Sequence, residues 1–246
     1  MKIAIIGFGA AAIGFIGKMK DSNHEIHIFE KSKDIYSSSI SGIRADGKLF
    51  ISEEMGGNIA VDVDLQKKLV EFYLSKTENG QYEEGKSFRN EMYYKKFYEQ
   101  GFQPIVADFF HIGTDQLEQV LYNIYEDYKK RQNIYFHFNN KINNITSIAG
   151  KIILDNEEAF DKVVIAVGRS GHKLIKKIIT KFPDLVTDNT KVDLGVRFEL
   201  PTHIVKELND EMYEFKVKYK SKTGYIVRTF CNNPNGFVVT ENYGDF

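Results

Sequence analysis

Residues 2–6 (KIAII) form an unbroken apolar, β-branched run that stops at Gly7, the pattern of a strand buried on both faces. Helical spacing follows from about Ala10 to Lys20. His24–Phe29 (HEIHIF) then predicts a second strand ending at Glu30, which completes a βαβ unit. Residues 32–60, rich in Ser and Gly with little periodicity, predict a long functional loop. From Asp64 to Lys76 and from Ser87 to Gln100, apolar residues recur at helical spacing among charges, with a turn between them over residues 78–85. A third helix starts at Gly113-Thr114-Asp115, where the side-chain oxygens are expected to cap it, and Leu117, Val120, Leu121, Ile124 and Tyr128 form its core stripe.

The period then changes to two. IYFHFNNKINNI, a turn at Gly150, KIILD, an acidic turn and KVVIAVG predict short strands over residues 134–167, with Gly168 ending the last. This order resembles the β-meander and final strand with which flavin domains of the glutathione-reductase type close over the adenine. A helix from His172 to Lys181 is stopped by Pro183. Beyond it, DLGVRFEL, EFKVKYK, TGYIVRTF and GFVVTENY alternate with turn residues and predict antiparallel strands across 190–246.

Composition narrows the classes. The 246 residues are 42% hydrophobic, enough for a substantial core, and 33 basic residues against 34 acidic give a net charge of −1. That balance exerts no global pull on nucleic acid or anionic membrane, so neither partner is expected. The single cysteine, Cys231, excludes an intrachain disulfide, a dithiol pair and a cysteine-built zinc site; no metal is expected, and a reducing, cytoplasmic setting fits. The apolar start is not read as a signal peptide or a membrane span, because four glycines interrupt it and Lys18-Met19-Lys20 follows. Asn144-Ile145-Thr146 matches a glycosylation acceptor that a cytoplasmic chain would not use. The stretch MYYKKFYEQGF (92–102) reads as a packing face before it reads as a base-stacking surface.

Gly7-Phe8-Gly9-Ala10-Ala11-Ala12 is a G-x-G-x-x-A turn. Gly7 permits the tight turn, Gly9 lets a pyrophosphate approach the backbone, Ala12 allows close strand–helix packing, and the helix start offers free N–H groups. Glu30, 23 residues after Gly7 at the end of the second strand, is placed to accept both ribose hydroxyls, and its charge disfavours a 2′-phosphate. FAD and NAD share this fingerprint. The long loop, helical segment and meander between the βαβ unit and KVVIAVGRSG favour FAD, because a NAD dehydrogenase continues at once with further strand–helix units.

ADGKLFISEEMGG (45–57), HIGTDQL (111–117), AVGRSG (166–171), and DLGVRFELP with RTFCNNPNG (193–201 and 228–236) occur in the order of a family of largely uncharacterised bacterial FAD-dependent dehydrogenases, which this chain resembles over nearly its whole length. Members of that family look about twice as long, with a C-terminal segment that completes the flavin site. The resemblance therefore implies either a fragment or a shortened relative. Where the family shows Cys-x-Cys-Pro-Gly-Gly, this chain has Cys231-Asn232-Asn233-Pro234-Asn235-Gly236, so cysteine-pair redox chemistry is excluded and Cys231 is expected to be a small buried hydrophobe.

The expected fold is α/β: a Rossmann-like FAD/NAD(P)-binding domain with a three-stranded β-meander (1–60 and 105–185), an inserted helical segment (61–104) and the start of a C-terminal antiparallel substrate or cap domain (186–246). The expected cofactor-binding residues are Gly7, Gly9, Ala10, Ala11, Ala12, Glu30, Lys31, Asp46, Gly47, Lys48, Ile142 and Gly168, with Asp46, Gly47 and Lys48 reaching the flavin or pyrophosphate. An exposed Asp-Gly turn with a solvated lysine is the alternative there. His111 is the catalytic candidate against a structural role. Arg169 and Arg197 read as anion clamps or ion-pair partners. The activity expected is FAD-dependent oxidation or reduction of a small molecule, with NAD(P)H as donor or acceptor. A dinucleotide-binding module completed by a C-terminal partner segment or by homo-oligomerisation is the second reading, and a NAD-dependent dehydrogenase the third.

Overall fold

The computed structural model describes residues 1–36, 46–55, 62–155, 158–185 and 194–236. β1 (Lys2–Ile6), α1 (Ala10–Met19) and β2 (Glu25–Phe29) form the expected βαβ unit, with β1 and β2 parallel in the register Lys2↔Glu25 to Ile6↔Phe29. Next come β3 (Lys48–Ile51), α2 (Val63–Leu74), β4 (Glu83–Lys86), α3 (Glu91–Glu99), β5 (Gln103–Ile105) and β6 (Asp108–His111). α4 (Thr114–Lys129), β7 (Ile134–His137), β8 (Ile145–Ile148), β9 (Lys151–Leu154), β10 (Glu158–Phe160), β11 (Lys162–Ile165) and α5 (His172–Lys181) follow. α6 (Thr202–Glu211), β12 (Lys216–Lys220) and β13 (Ile226–Arg228) are the last helix and strands among the described residues.

The chain is a mixed α/β protein in which the described residues form one parallel sheet, order β11-β1-β2-β7, and three antiparallel sheets, β10-β9-β8, β3-β6-β4 and β13-β12-β5. The parallel strands are apolar throughout because both faces are covered. Ile5, Ile26 and Ile28 point toward α1 and α4 and pack with Ile13, Ile16, Val120 and Ile124. The alternate positions Ala4, Ile6 and Phe29 point the other way, onto Phe160, Leu174 and Ile178 beneath the β8–β10 sheet and α5. A third cluster, Phe88, Tyr93, Met212 and Val217, lies away from that sheet. β5 pairs with β12, so the stretch expected as a helical insertion and the C-terminal strands share one sheet.

Several expectations are corrected. Residues 134–137 do not join the antiparallel sheet; β7 pairs parallel with β2, because Ile134 and Phe136 are needed in the core that α4 covers. The predicted loop 32–60 contains β3, and the predicted turn 78–85 runs into β4; both are held by β6 between them. α4 begins at Gly113 with φ +84° and no side-chain cap, so Thr114 and Asp115 do not serve as N-cap oxygens. By contrast, Asp62 and Asn90 cap α2 and α3 by accepting first-turn N–H bonds. Residues 194–200 form no strand, and α6, for which no helix was expected, follows Pro201 with none of its residues buried. Cys231 is exposed. Residues 237–246, including most of GFVVTENY, lie outside the described residues, as do 37–45 and 56–61 of the long loop.

Among the described residues, no helix is long and apolar enough to cross a membrane.

Candidate functional site

The C-terminal ends of β11, β1 and β2 lie side by side, and the chain turns away from each through a short polar or glycine-rich segment. The turn after β1 is the tightest. Gly7 has φ +94°, and a Cβ there would sit 2.5 Å from the Ala166 carbonyl oxygen, so only glycine lets the β1 and β11 turns meet. Its N–H donates to the Phe29 carbonyl at 2.8 Å, tying β1 to β2. Gly9 is the N-cap of α1 in extended backbone and supplies no side-chain cap, and the first helical bond is Ile13 N–H to Gly9 oxygen at 3.0 Å. The N–H groups of Ala10, Ala11 and Ala12 therefore have no partner within the helix, and no acidic side chain occupies that turn. Ala10 and Ala11 are exposed, while Ala12 is fully buried against the sheet.

Glu30 sits beside this turn and is almost completely buried. Its Oε2 accepts the Phe8 N–H at 2.9 Å, and its Oε1 accepts the Ser32 N–H at 2.9 Å and the Ser32 hydroxyl at 2.7 Å. Oε1 is thus saturated, and Oε2 retains one acceptor position. Glu30 was expected to accept both ribose hydroxyls, and Phe8 and Ser32 were not anticipated as its partners. The i, i+2 spacing of Glu30 and Ser32, typical of a local side-chain turn, was the available signal. Lys31 reaches across to Ser170, Nζ to Oγ 3.2 Å, linking the β2 and β11 turns. Gly168 (φ +58°) opens the β11 turn. Ile142 packs its side chain into the core with Ala4, Ile6 and Phe29, behind this edge. Arg197 is exposed, and Arg169 belongs to the β11 turn.

A second cluster gathers His111, Asp46 and Lys48. The β3–β6–β4 register sets Lys48 and Glu83 on either side of His111. His111 Nε2 lies 2.7 Å from Asp46 Oδ1, its Nδ1 3.9 Å from Glu83, and its ring packs on Tyr213 with centroids 4.7 Å apart. The Lys48 side chain is 5% exposed; its Nζ is 2.9 Å from both Asp46 Oδ2 and Glu214 Oε2, and it donates to the Asn232 carbonyl at 2.6 Å. Glu214 is fully buried and also meets Lys216 Nζ at 3.1 Å and the Asn232 N–H at 3.1 Å.

Burial alone would lower the Lys48 pKa, but Glu214 and Asp46 outweigh it and hold the ammonium charged, above its ordinary 10.5. Burial would likewise raise Asp46, but Lys48 and His111 prevail and keep it ionised, below 3.8. The Lys48 ammonium is thus saturated inside the protein. Gly47 has φ +72°, a backbone conformation that strains any side chain, and a Cβ there would also lie a tight 3.2 Å from Ile112. The arrangement locks β3 and β6 to the segments that precede and follow β12 and β13, and it leaves His111 fixed by an acid on one nitrogen and an aromatic ring on one face. Tyr213, Glu214 and Asn232 were not anticipated; the charged alternation of Glu214, Lys216 and Lys218 was their only sequence trace.

No family model matches the chain, and no curated protein matches it. Among solved structures it is similar to glycine oxidase from Geobacillus kaustophilus (18% identity, TM-score 0.45, 72% of this chain and 57% of that one). It is also similar to an L-amino acid deaminase from Proteus vulgaris with its specific insertion sequence deleted (13%, 0.46, 72% and 55%). A third is CtdE in complex with FAD (16%, 0.42, 68% and 38%). The chain spans about half the length of these structures or less, and at these identities and scores no residue role transfers from them.

Proposed function

We propose that the chain binds FAD with its ADP half at the C-terminal edge of the parallel sheet, as the cofactor-holding part of an oxidoreductase acting on a small molecule. The observation that carries this reading is the joint presence of an uncapped helix start after Gly9 and a buried acid, Glu30, fastened to the amide of Phe8 in the same turn. The residues fit the group. Three N–H groups at the positive end of α1, with no partner within the helix, suit a pyrophosphate. The open acceptor position on Glu30 Oε2 suits a ribose hydroxyl. The β8–β10 sheet placed between β7 and β11 supports FAD over NAD, and a separate NAD(P)H site gains no support from the geometry.

When bound, the flavin supplies the hydride chemistry. The chain's own contribution is positional. Gly7 keeps the β1 and β11 turns in contact, Glu30 orients the Phe8 amide, and Lys31 with Ser170 closes the edge between β2 and β11. His111, held at Nε2 by Asp46, presents Nδ1 in a fixed orientation for proton transfer. Under this reading a partner segment or a second copy covers the exposed Leu194, Val196 and Phe198.

Titrating the purified chain with FAD and following flavin fluorescence tests it. Saturable one-to-one binding that Glu30→Gln weakens about tenfold is the expected result. A chain that cannot be reconstituted, or equal affinity in Glu30→Gln, overturns it.

A further inference from the structure

A separate cavity of about 310 Å³ opens between α3 and α6, beyond the third core cluster and on neither side of the parallel sheet. Its walls are aromatic and aliphatic: Phe97 and Phe102, with ring centroids 5.9 Å apart, face Ile204 and Leu208 of α6. Its width is fixed at one end, where the Tyr93 hydroxyl donates to Glu207 Oε1 at 2.6 Å and bridges the two helices. That bond pushes the Tyr93 pKa up to about 12, so the bridge is intact throughout the neutral range. Two charges line the opening. Lys96 lies over the Tyr93 ring at 5.9 Å, and no ion pair to a carboxylate is found for it among the described residues. Glu207 uses one oxygen for Tyr93 and keeps Oε2 as an acceptor.

A volume at the lower end of the range for small-molecule pockets, roughly 300–1,000 Å³, with mostly apolar walls and a few convergent polar groups, gives it the size and lining of a small-ligand site. The chemistry of the walls specifies the occupant. Flat rings suit Phe97 and Phe102, an unpaired ammonium suits an anion, and a free carboxylate oxygen suits an N–H donor. We propose that this cavity binds a small aromatic carboxylate bearing an N–H group, with the carboxylate on Lys96, the N–H on Glu207 and the ring system between α3 and α6. The site is independent of the FAD proposal and shares no residue with it.

Indole-3-acetate carries all three features and serves as the probe. Calorimetric titration of the full chain is expected to show one site per chain. Affinity should fall about tenfold or more in Lys96→Gln, and about tenfold for 3-methylindole, which lacks the carboxylate, or for naphthalene-1-acetate, which lacks the N–H. Ile204→Trp, at an exposed position, fills the cavity and is expected to abolish binding while circular dichroism and FAD affinity stay unchanged. Absence of saturable binding overturns the proposal. So does a probe affinity that neither Lys96→Gln nor Ile204→Trp alters. Sedimentation showing a dimer that the probe dissociates and Ile204→Trp abolishes overturns it in favour of a second copy seated in the cavity.

Discussion

Replacing Ala11 by glutamate separates folding from cofactor binding, because the same charge acts on the two in opposite directions. Ala11 is the second residue of α1, exposed, in a first turn with no acid and no side-chain cap. A carboxylate there interacts favourably with the positive end of the helix by about 0.3–1 kcal/mol. This offsets the few tenths of a kcal/mol by which glutamate falls below alanine in helix propensity. At about 2–4 °C per kcal/mol for a chain of this size, the apoprotein keeps its melting temperature or gains a degree or two. For FAD the sign reverses. Two pyrophosphate charges about 6 Å from the new carboxylate, at an effective dielectric of about 40–80, cost about 1.4–2.8 kcal/mol, or a roughly 10- to 100-fold weaker Kd. Fluorescence titration at low salt reads this loss, which shrinks as added salt screens the pair. Ala11→Gln, equal in size and neutral, is expected to bind FAD within about threefold of the parent. If the glutamate and glutamine variants bind equally, the pyrophosphate does not sit at α1 and the site assignment fails.

Glu214→Gln removes the fully buried carboxylate that Lys48 and Lys216 share, and urea denaturation should show a loss of about 3–5 kcal/mol; less than 1 kcal/mol would mean the network contributes little to joining β3 with β12. His137 has its pKa lowered from 6.5, first by burial and then by the neighbouring His27. A lowered histidine is neutral in the folded state while its unfolded counterpart takes up a proton, so stability is full above pH 6.5 and declines as pH falls toward the folded value. His137→Phe should flatten the slope of unfolding free energy between about pH 6.5 and 5, and an unaltered slope would assign that slope to other groups. In the segment 194–200, Val196 is 92% and Phe198 79% exposed. Changing both to lysine should lower self-association in light scattering and leave the melting temperature within about a degree. A large loss of stability would show that these side chains are buried in solution.

The parts of the molecule most legible in the sequence are those whose burial follows a local period. KIAII, HEIHIF and the stripe from Leu117 to Tyr128 each specify their own element, because a strand or helix that buries one face repeats its apolar positions every two or every three to four residues. The Gly7–Ala12 turn and Glu30 were legible for a related reason: a positive φ at Gly7 and a helix start are constraints within a dozen residues. α6 was not legible, since none of its residues is buried and its apolar Ile204 and Leu208 face an open cavity. β4 (EEGK) carries no apolar alternation at all; it is a strand only because β6 offers it a free edge, with Gly85 beneath the Phe109 ring. Cys231 was expected inside on residue type alone, and its segment is at the surface.

By itself, then, the sequence determined the βαβ unit, its glycine turn, the acid that follows it and the helices with a complete apolar stripe. Tertiary structure alone decided that β7 joins the parallel sheet, that β5 pairs with β12, and that Lys48 spends its charge on Asp46 and on Glu214, 166 positions away. It also decided how many of the oxygen lone pairs on Glu30 are left for a ligand. The reason is physical. Periodicity records which side of an element is dry, whereas the partner of a strand edge or of a buried charge is set by groups that chain folding brings together from distant positions, and no local pattern encodes them.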